Sequence, residues 1–470
     1  MNIFCWLTTL LFTGLVLAQD DAFDKTIDRY SFKTVITNAS LSGFTIEYKN
    51  YYKIVTNTIT SKSYCLVGFE QALPEGCHAE TTIHIPVKSF SVEADSYSVV
   101  PFIELLGLQN NMTKTPTANI SSPCVRDGSA DTSIASPDMV FSSSSNYGAM
   151  YVGFSADKDT LLPLQKASWL MYIGAFFDLE LKSSSIYNQI VNNYNCHKNN
   201  LVSNNIPVSF TTFDPSHSLF TVHSGIYYHQ LVQDAGGRLV ATNVAQPDTF
   251  QVNVSTDQLN LAIALRGAEF IIDTSVPSLD YDTWLTADKP YFTADNKYTE
   301  VGAVNNNKVY TVHRLVNTNH ISGKYNQNIY TNIYLYSFIL DWNQRSAARP
   351  DLALLDLIKL LYPDFSVASN SLFPLWLTPY NKVNQTRQVL TIDMYGGCQD
   401  IATNAFAQSQ CTLGASIGST FIPKADLSKE GKAGVSVGVV LFFAGLVGLW
   451  LYRRYRLGKK RHHFYQMEDF

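Results

Sequence analysis

Charge is what this 470-residue sequence has least of: 16% Asp, Glu, Lys and Arg, against roughly 25% in ordinary globular chains. With 46% hydrophobic residues and 27 each of Tyr and Phe, it has ample apolar surface to offset chain entropy, which excludes disorder. Cysteine is sparse, seven in all, which excludes a small disulfide knot. Neither the Cys-x-x-Cys nor the His-x-x-x-His spacing of a zinc site occurs. Also absent are the His-Glu-x-x-His zinc signature, the phosphate-binding loop and the dinucleotide glycine fingerprint. Two faint catalytic patterns fail on context. Asp131-Thr-Ser133 and Asp273-Thr-Ser275 imitate the paired Asp-Thr-Gly of aspartic proteases, but Ser replaces Gly in both. Gly414 to Gly418 matches a nucleophile elbow, which demands a strand before it and a helix after it; here it sits in a low-complexity stretch. The expectation is a protein that is not an enzyme and carries no cofactor.

What charge there is lies unevenly. From Arg453 to Phe470, six Lys/Arg against Glu468 and Asp469 give +4, so the remainder of a chain of net charge −5 carries −9. An acidic body on a basic tail argues against nucleic acid and for a membrane protein. Two apolar segments agree. Ile3 to Ala18 has the apolar stretch and small-residue end of a secretory signal, assigned to residues 1–18. Ala433 to Tyr452 is an uncharged run long enough to span a bilayer. The basic cluster behind it, residues 453–470, places the C-terminus in the cytoplasm. The topology expected is single-pass, in the plasma membrane or another secretory-pathway membrane, with the large N-terminal part outside. Five glycosylation sequons fall in that part, at Asn38, Asn111, Asn119, Asn253 and Asn384. So do six cysteines, Cys65, Cys77, Cys124, Cys196, Cys398 and Cys411, an even number suited to disulfides. Short loops favour Cys65–Cys77 and Cys398–Cys411, leaving Cys124–Cys196; six cysteines alone do not fix the connectivity.

Strand and helix patterns alternate along the exterior, as expected for α/β architecture with covering helices. Gly43–Tyr48, Tyr51–Val55, Pro137–Phe141 and Ala149–Phe154 read as strands. Val99–Gly107 reads as a helix, with Pro101 near its start and Gly107 at its end. Pro163 to about Asn193 carries an apolar stripe of Trp169, Ile173, Phe176, Phe177, Ile186, Ile190 and Tyr194, which predicts one amphipathic helix of about 45 Å. Further on, Pro207–Thr212 and Ala268–Ile272 read as strands, while Tyr227–Ala235, Leu261–Gly267 and Pro350–Leu361 read as helices. These patterns predict an N-terminal lobe over 30–160, an interlobe helix over 163–198, a C-terminal lobe over 205–363, and an extension and stalk over 364–431.

This order of elements resembles the periplasmic solute-binding proteins of ABC importers, in the helical-backbone class that binds iron–siderophores, haem, cobalamin or metals. The resembling segments are Ser98–Gly107, Pro137–Phe141, Pro163–Glu180, Leu231–Gly237, Ala268–Asp273 and Pro350–Leu361. The chain is most similar to a membrane-tethered eukaryotic form of that class. The resemblance implies two Rossmann-like lobes joined by one rigid helix, with a small ligand in the cleft between them. The implied cleft loops are Ser96–Ser98, Ser142–Tyr147, His223–Tyr228 and Asp273–Thr274, at strand ends where open α/β sheets bind ligands.

On or near those loops, Tyr51, Tyr147, Tyr227 and Tyr228 are candidates for stacking or phenolate coordination, and Ser98 for hydrogen bonding. Among His84, His223, His229 and His313, His223 is preferred as a ligand. Asp273 would offer a carboxylate, while Arg126 and Arg238 could pair with an acidic ligand. Each has an ordinary alternative: core packing for Tyr, a hydrogen-bonded ring for His, a cap for Asp273, a salt bridge for Arg. No set of three His and one carboxylate falls on the loops, so chelated iron or another organic ligand fits better than a bare metal. Because one membrane helix forms no channel, a separate transporter or reductase chain would be the partner. The alternative class is a structural or adhesive glycoprotein that keeps the bilobed fold without ligand.

Overall fold

A computed structural model describes residues 23–36, 42–78, 81–113, 120–125, 136–143, 150–201, 204–214, 216–241, 248–251, 254–275, 301–317, 339–365, 373–401 and 411. The expected signal segment, membrane span and tail lie outside them. Among the described residues, no helix is long and apolar enough to cross a membrane.

The first half opens with β1 (Phe44–Tyr48), β2 (Tyr52–Asn57), β3 (Lys62–Val67) and β4 (Thr82–His84), a sheet that is antiparallel except for the parallel β3–β4 pair. A second sheet is wholly parallel: β5 (Phe90–Val92), β6 (Met139–Ser142) and β7 (Tyr151–Gly153). Between β5 and β6 lie a 3-10 turn, Ala94–Val99, and helix α1 (Val100–Leu105), with Pro101 in its first turn.

The long helix expected after β7 is two helices, α2 (Pro163–Phe176) and α3 (Glu180–Asn199). Two residues explain the break. Asp178 adopts left-handed backbone, φ 53°, which ends a helix. The returning chain then approaches so closely that a Cβ on Gly174 would fall 2.4 Å from Ser183 Oγ. Lys53, wholly buried, fixes the corner: its ammonium donates to the Ala175 carbonyl at 2.9 Å and pairs with Asp178 and Glu180. A cation at the carbonyl end of α2 also suits the helix dipole. Gly174→Ala should therefore lower stability by about 1–3 kcal/mol, as overpacking does, measured as a fall in melting temperature. The two helices also differ in character. α2 is buried almost all round, Trp169 packing on Phe44, Phe154 and Tyr172. Only α3 keeps the predicted stripe, burying Ile186, Ile190 and Tyr194 against α2 and the later helix Pro350–Leu361.

The second half is built on β8 (Ile206–Asp214), paired with the hairpin strand β9 (Leu219–His223) and, at its start, with β10 (Gly237–Leu239) after helix α4 (Ile226–Asp234). β11 (Asp248–Gln251) edges the sheet beyond β9, and α5 (Ser255–Leu265) follows it. β12 (Phe270–Asp273) and β13 (Val309–Thr311) extend it in parallel on the other side, with the short α6 (Gly302–Asn305) between them. A small third group comprises β14 (Leu315–Asn317) and β15 (Ile339–Leu340), followed by α7 (Asp341–Arg345) and α8 (Pro350–Leu361).

Residues 373–401, expected as extension and stalk, instead complete the body. β16 (Thr378–Pro379) pairs with β13, and after α9 (Val383–Thr386) β17 (Gln388–Val389) pairs with β14. Trp376 is fully buried, and the Asp356 carboxylate accepts the backbone N–H groups of Leu375, Trp376 and Leu377. Both halves belong to one compact unit, Met1–Ser416.

A buried ionic cluster ties the halves. Arg345 of α7 donates to Glu104 of α1 at 2.9 Å and to both Asp341 oxygens at 3.2 Å. Asp341 also accepts from Ser121 and from the Trp376 indole, each at 2.9 Å, and Ser122 donates to Glu104. Burial pushes the Glu104 carboxyl up to about 7, against the pull of Arg345.

The disulfides correct the sequence expectation. Cys65–Cys77 forms, but the other two are Cys124–Cys398 and Cys196–Cys411, with Cα atoms 5.5 and 6.0 Å apart. Local spacing favoured Cys398–Cys411; the fold instead carries the C-terminal segment across the first half, placing each of its cysteines against a partner more than two hundred residues away.

Candidate functional site

Parallel strands expose their last carbonyls and the loops beyond them, so the ends of β5, β6, β7 and β12 are where a site would be built. In the first half the loops after β5 and β6 meet. Ser142 Oγ donates to Glu93 at 3.2 Å and lies 3.5 Å from Asp95, which also accepts the Ser143 N–H at 3.3 Å. In the second half, Thr212 Oγ1 lies 2.7 Å from both His223 Nε2 and Thr274 Oγ1, joining the ends of β8, β9 and β12.

The two halves meet through the loop after β7. Asp159 accepts the Tyr227 N–H on its carbonyl at 3.3 Å, and Gly225 packs against it so closely that a Cβ there would fall 2.9 Å from the Asp159 side chain. Lys166, buried in the first turn of α2, pairs with Asp159 at 3.1 Å and stands 4.0 Å over the Tyr227 ring. The His223 ring lies 4.6 Å from Tyr228, which packs on Phe210 at 4.9 Å; Phe210 in turn stacks on Trp342 at 6.4 Å. The partly exposed faces of His223 and Tyr228 form the open end of this aromatic row. Burial lowers the His223 pKa, with Asp159 opposing and Lys166 reinforcing the shift, so the ring is neutral and an acceptor or donor rather than a cation.

Of the residues expected at the site, His223 and Tyr227 come together here, with Tyr228 between them. Ser98 is half-buried in the 3-10 turn after β5. Tyr51 is placed elsewhere: it sits at the β1–β2 turn, packed on Phe23 at 5.7 Å with Lys25 over its ring. Asp273 is spent inside the sheet, fully buried, one oxygen accepting from Ser275 and the other from the Tyr380 hydroxyl at 2.7 Å. Arg126 and Tyr147 lie outside the described residues, as do Asn38, Asn119 and Asn253. Asn111 donates its side-chain amide to the Lys88 carbonyl at 2.9 Å, and Asn384 lies in α9. Asp159 and Lys166 were missed, although Asp157-Lys-Asp159 follows the strand Ala149–Phe154 and the rule that found the other loops would have found this one. No group of three or more His, Cys, Asp or Glu among the described residues could hold a metal ion.

His313, just beyond β13, occupies a different environment. Fully buried, it donates Nε2–H to the Ser275 carbonyl at 3.0 Å, and burial lowers its pKa to about 3. An unfolded His titrates near 6.5. Between these values the unfolded chain binds the extra proton, so this group's stabilisation is complete above about 6.5 and is lost as pH falls toward 3. His313→Gln should flatten the fall in melting temperature across that window, read as the difference between the two proteins' pH profiles.

No family model and no curated protein sequence matches the chain. Among solved structures, it is similar to a periplasmic binding protein from Veillonella parvula, at 10% identity over 68% of this chain and 98% of that one, with a TM-score of 0.41. A possible iron-binding, periplasmic solute-binding protein from Staphylococcus epidermidis gives 12% identity over 59% and 99%, with a TM-score of 0.40. A periplasmic heme binding protein from Pseudomonas aeruginosa gives 10% identity over 62% and 97%, with a TM-score of 0.37.

Proposed function

We propose that this protein captures a small organic ligand without transforming it, at the junction where the strand ends of its two halves converge. The observation that carries this reading is the meeting of Asp159 and Lys166 from the first half with Tyr227 from the second, beside the open aromatic edge of His223 and Tyr228. An aromatic face flanked by a few fixed polar groups is the usual make-up of a small-ligand site. A ring-bearing chelate of iron, a cofactor or another metal complex fits better than a bare ion, because stacking and hydrogen bonds are available here and, among the described residues, a cage of metal ligands is not. The site is held outside a secretory-pathway membrane by the C-terminal span, on a glycosylated exterior, and a separate chain transports or reduces the cargo. A structural role without ligand is the second reading, favoured by the buried Glu104–Arg345–Asp341 tie, which braces the halves.

Thermal melting of the full-length protein against ferric siderophores, haem and cobalamin tests the proposal. A true ligand at a hundred times its Kd adds about 2.7 kcal/mol, several degrees in melting temperature. Tyr228→Ala should weaken binding about tenfold, the stacking contribution of one ring. No shift with any of the three would favour the structural reading.

A further inference from the structure

A cavity lies away from the strand ends, where the C-terminus of α1, the start of α3 and the C-terminal segment meet. Its volume is about 500 Å3, with walls of Leu105, Gly107, Leu181, Lys182, Ile186 and Ile401. That volume lies within the range of small-molecule sites, and a mostly apolar wall with few polar groups is their usual make-up. Both oxygens of Glu104, which also borders it, are taken by Arg345 and Ser122.

Among the described residues, the wall holds a single cation. Lys182 donates to the Leu106 carbonyl at 2.9 Å, and among the described residues no carboxylate pairs with it. An ammonium has three N–H donors, so donors remain for a guest. Asp400, also in the wall, has a partner of its own. The walls are fixed covalently: Ile401 lies between Cys398 and Cys411, bonded to Cys124 and to Cys196 of α3. A site held in shape before binding loses less entropy when filled.

We propose that this cavity binds a small apolar molecule carrying one carboxylate, its hydrocarbon against Leu105, Leu181, Ile186 and Ile401 and its acid on Lys182. Calorimetry of the full-length protein with 2-naphthoate, and with the uncharged 2-naphthamide as control, tests it. The acid should bind at least tenfold tighter than the amide. Lys182→Met, at an exposed position, should abolish that preference while the amide's affinity holds. Ser185→Trp, also exposed and at the cavity wall, should block both. Equal binding of acid and amide, or a preference that survives Lys182→Met, would overturn the assignment of the head group. Failure of both probes to bind, or binding that survives Ser185→Trp, would overturn the site.

Discussion

Arg345→Met should cost about 3–5 kcal/mol, the usual result of removing one partner from a buried ion pair. The side chain is almost wholly buried, and its guanidinium neutralises two carboxylates, Glu104 and Asp341, from different halves of the molecule. The methionine fills much of the same volume, so the loss reports charge rather than a hole. A further signature separates the two. Without Arg345, Glu104 stays buried with no counter-charge, so its pKa, already raised to about 7 by burial, rises further above that of the unfolded chain. Groups raised in this way favour the folded state at low pH and lose that contribution as pH rises through the folded value. The deficit of the variant should therefore narrow on acidification toward pH 5. Melting temperatures of wild type and variant across pH 5–8 read this directly; a deficit independent of pH would point to packing alone.

Opening the Cys196–Cys411 bond should cost about 2–5 kcal/mol. The loop it closes spans 215 residues, and longer loops lose more entropy when closed in the unfolded chain. Cys196→Ser with Cys411→Ser should melt earlier by that measure, and urea titration should give a matching shift in midpoint. Peptide mapping under non-reducing conditions checks the connectivity independently. Fragments joining Cys124 to Cys398 and Cys196 to Cys411 are expected; a fragment joining Cys398 to Cys411 would contradict this fold.

Much of the scaffold is legible in the sequence because it rests on local rules. Proline at the first helical turn marks α2 and α8, and near-continuous apolar runs mark β6 and β12. The alternation of these elements is enough for an α/β assignment. The break in the helix is hidden in the sequence because periodicity survives across it: Phe177 and Ile186 are both buried, so the stripe runs on while the backbone turns. Gly174 and Asp178 carry the only local signal. The buried Arg345 cluster and the disulfide partners are long-range facts, set by which surfaces meet, and no window of sequence contains both sides of them. The site divides the same way. His223 and Tyr227 could be placed by counting strands, whereas Asp273, at the end of a strand as expected, turns inward to Tyr380, and that depends on residues a hundred positions away.

The path of residues 373–401 through the body has a consequence for synthesis. A chain made from its N-terminus can close Cys65–Cys77 early. Cys124 and Cys196, however, must wait as thiols until residues 398 and 411 have emerged. During that interval the edges of β13 and β14, later covered by β16 and β17, stand open to pairing with other chains, as unpaired edges do. The waiting thiols are also the pair most available to oxidise wrongly to each other. Oxidative refolding should then be accelerated by a disulfide isomerase, and a chain truncated before residue 398 should yield mispaired, aggregating material.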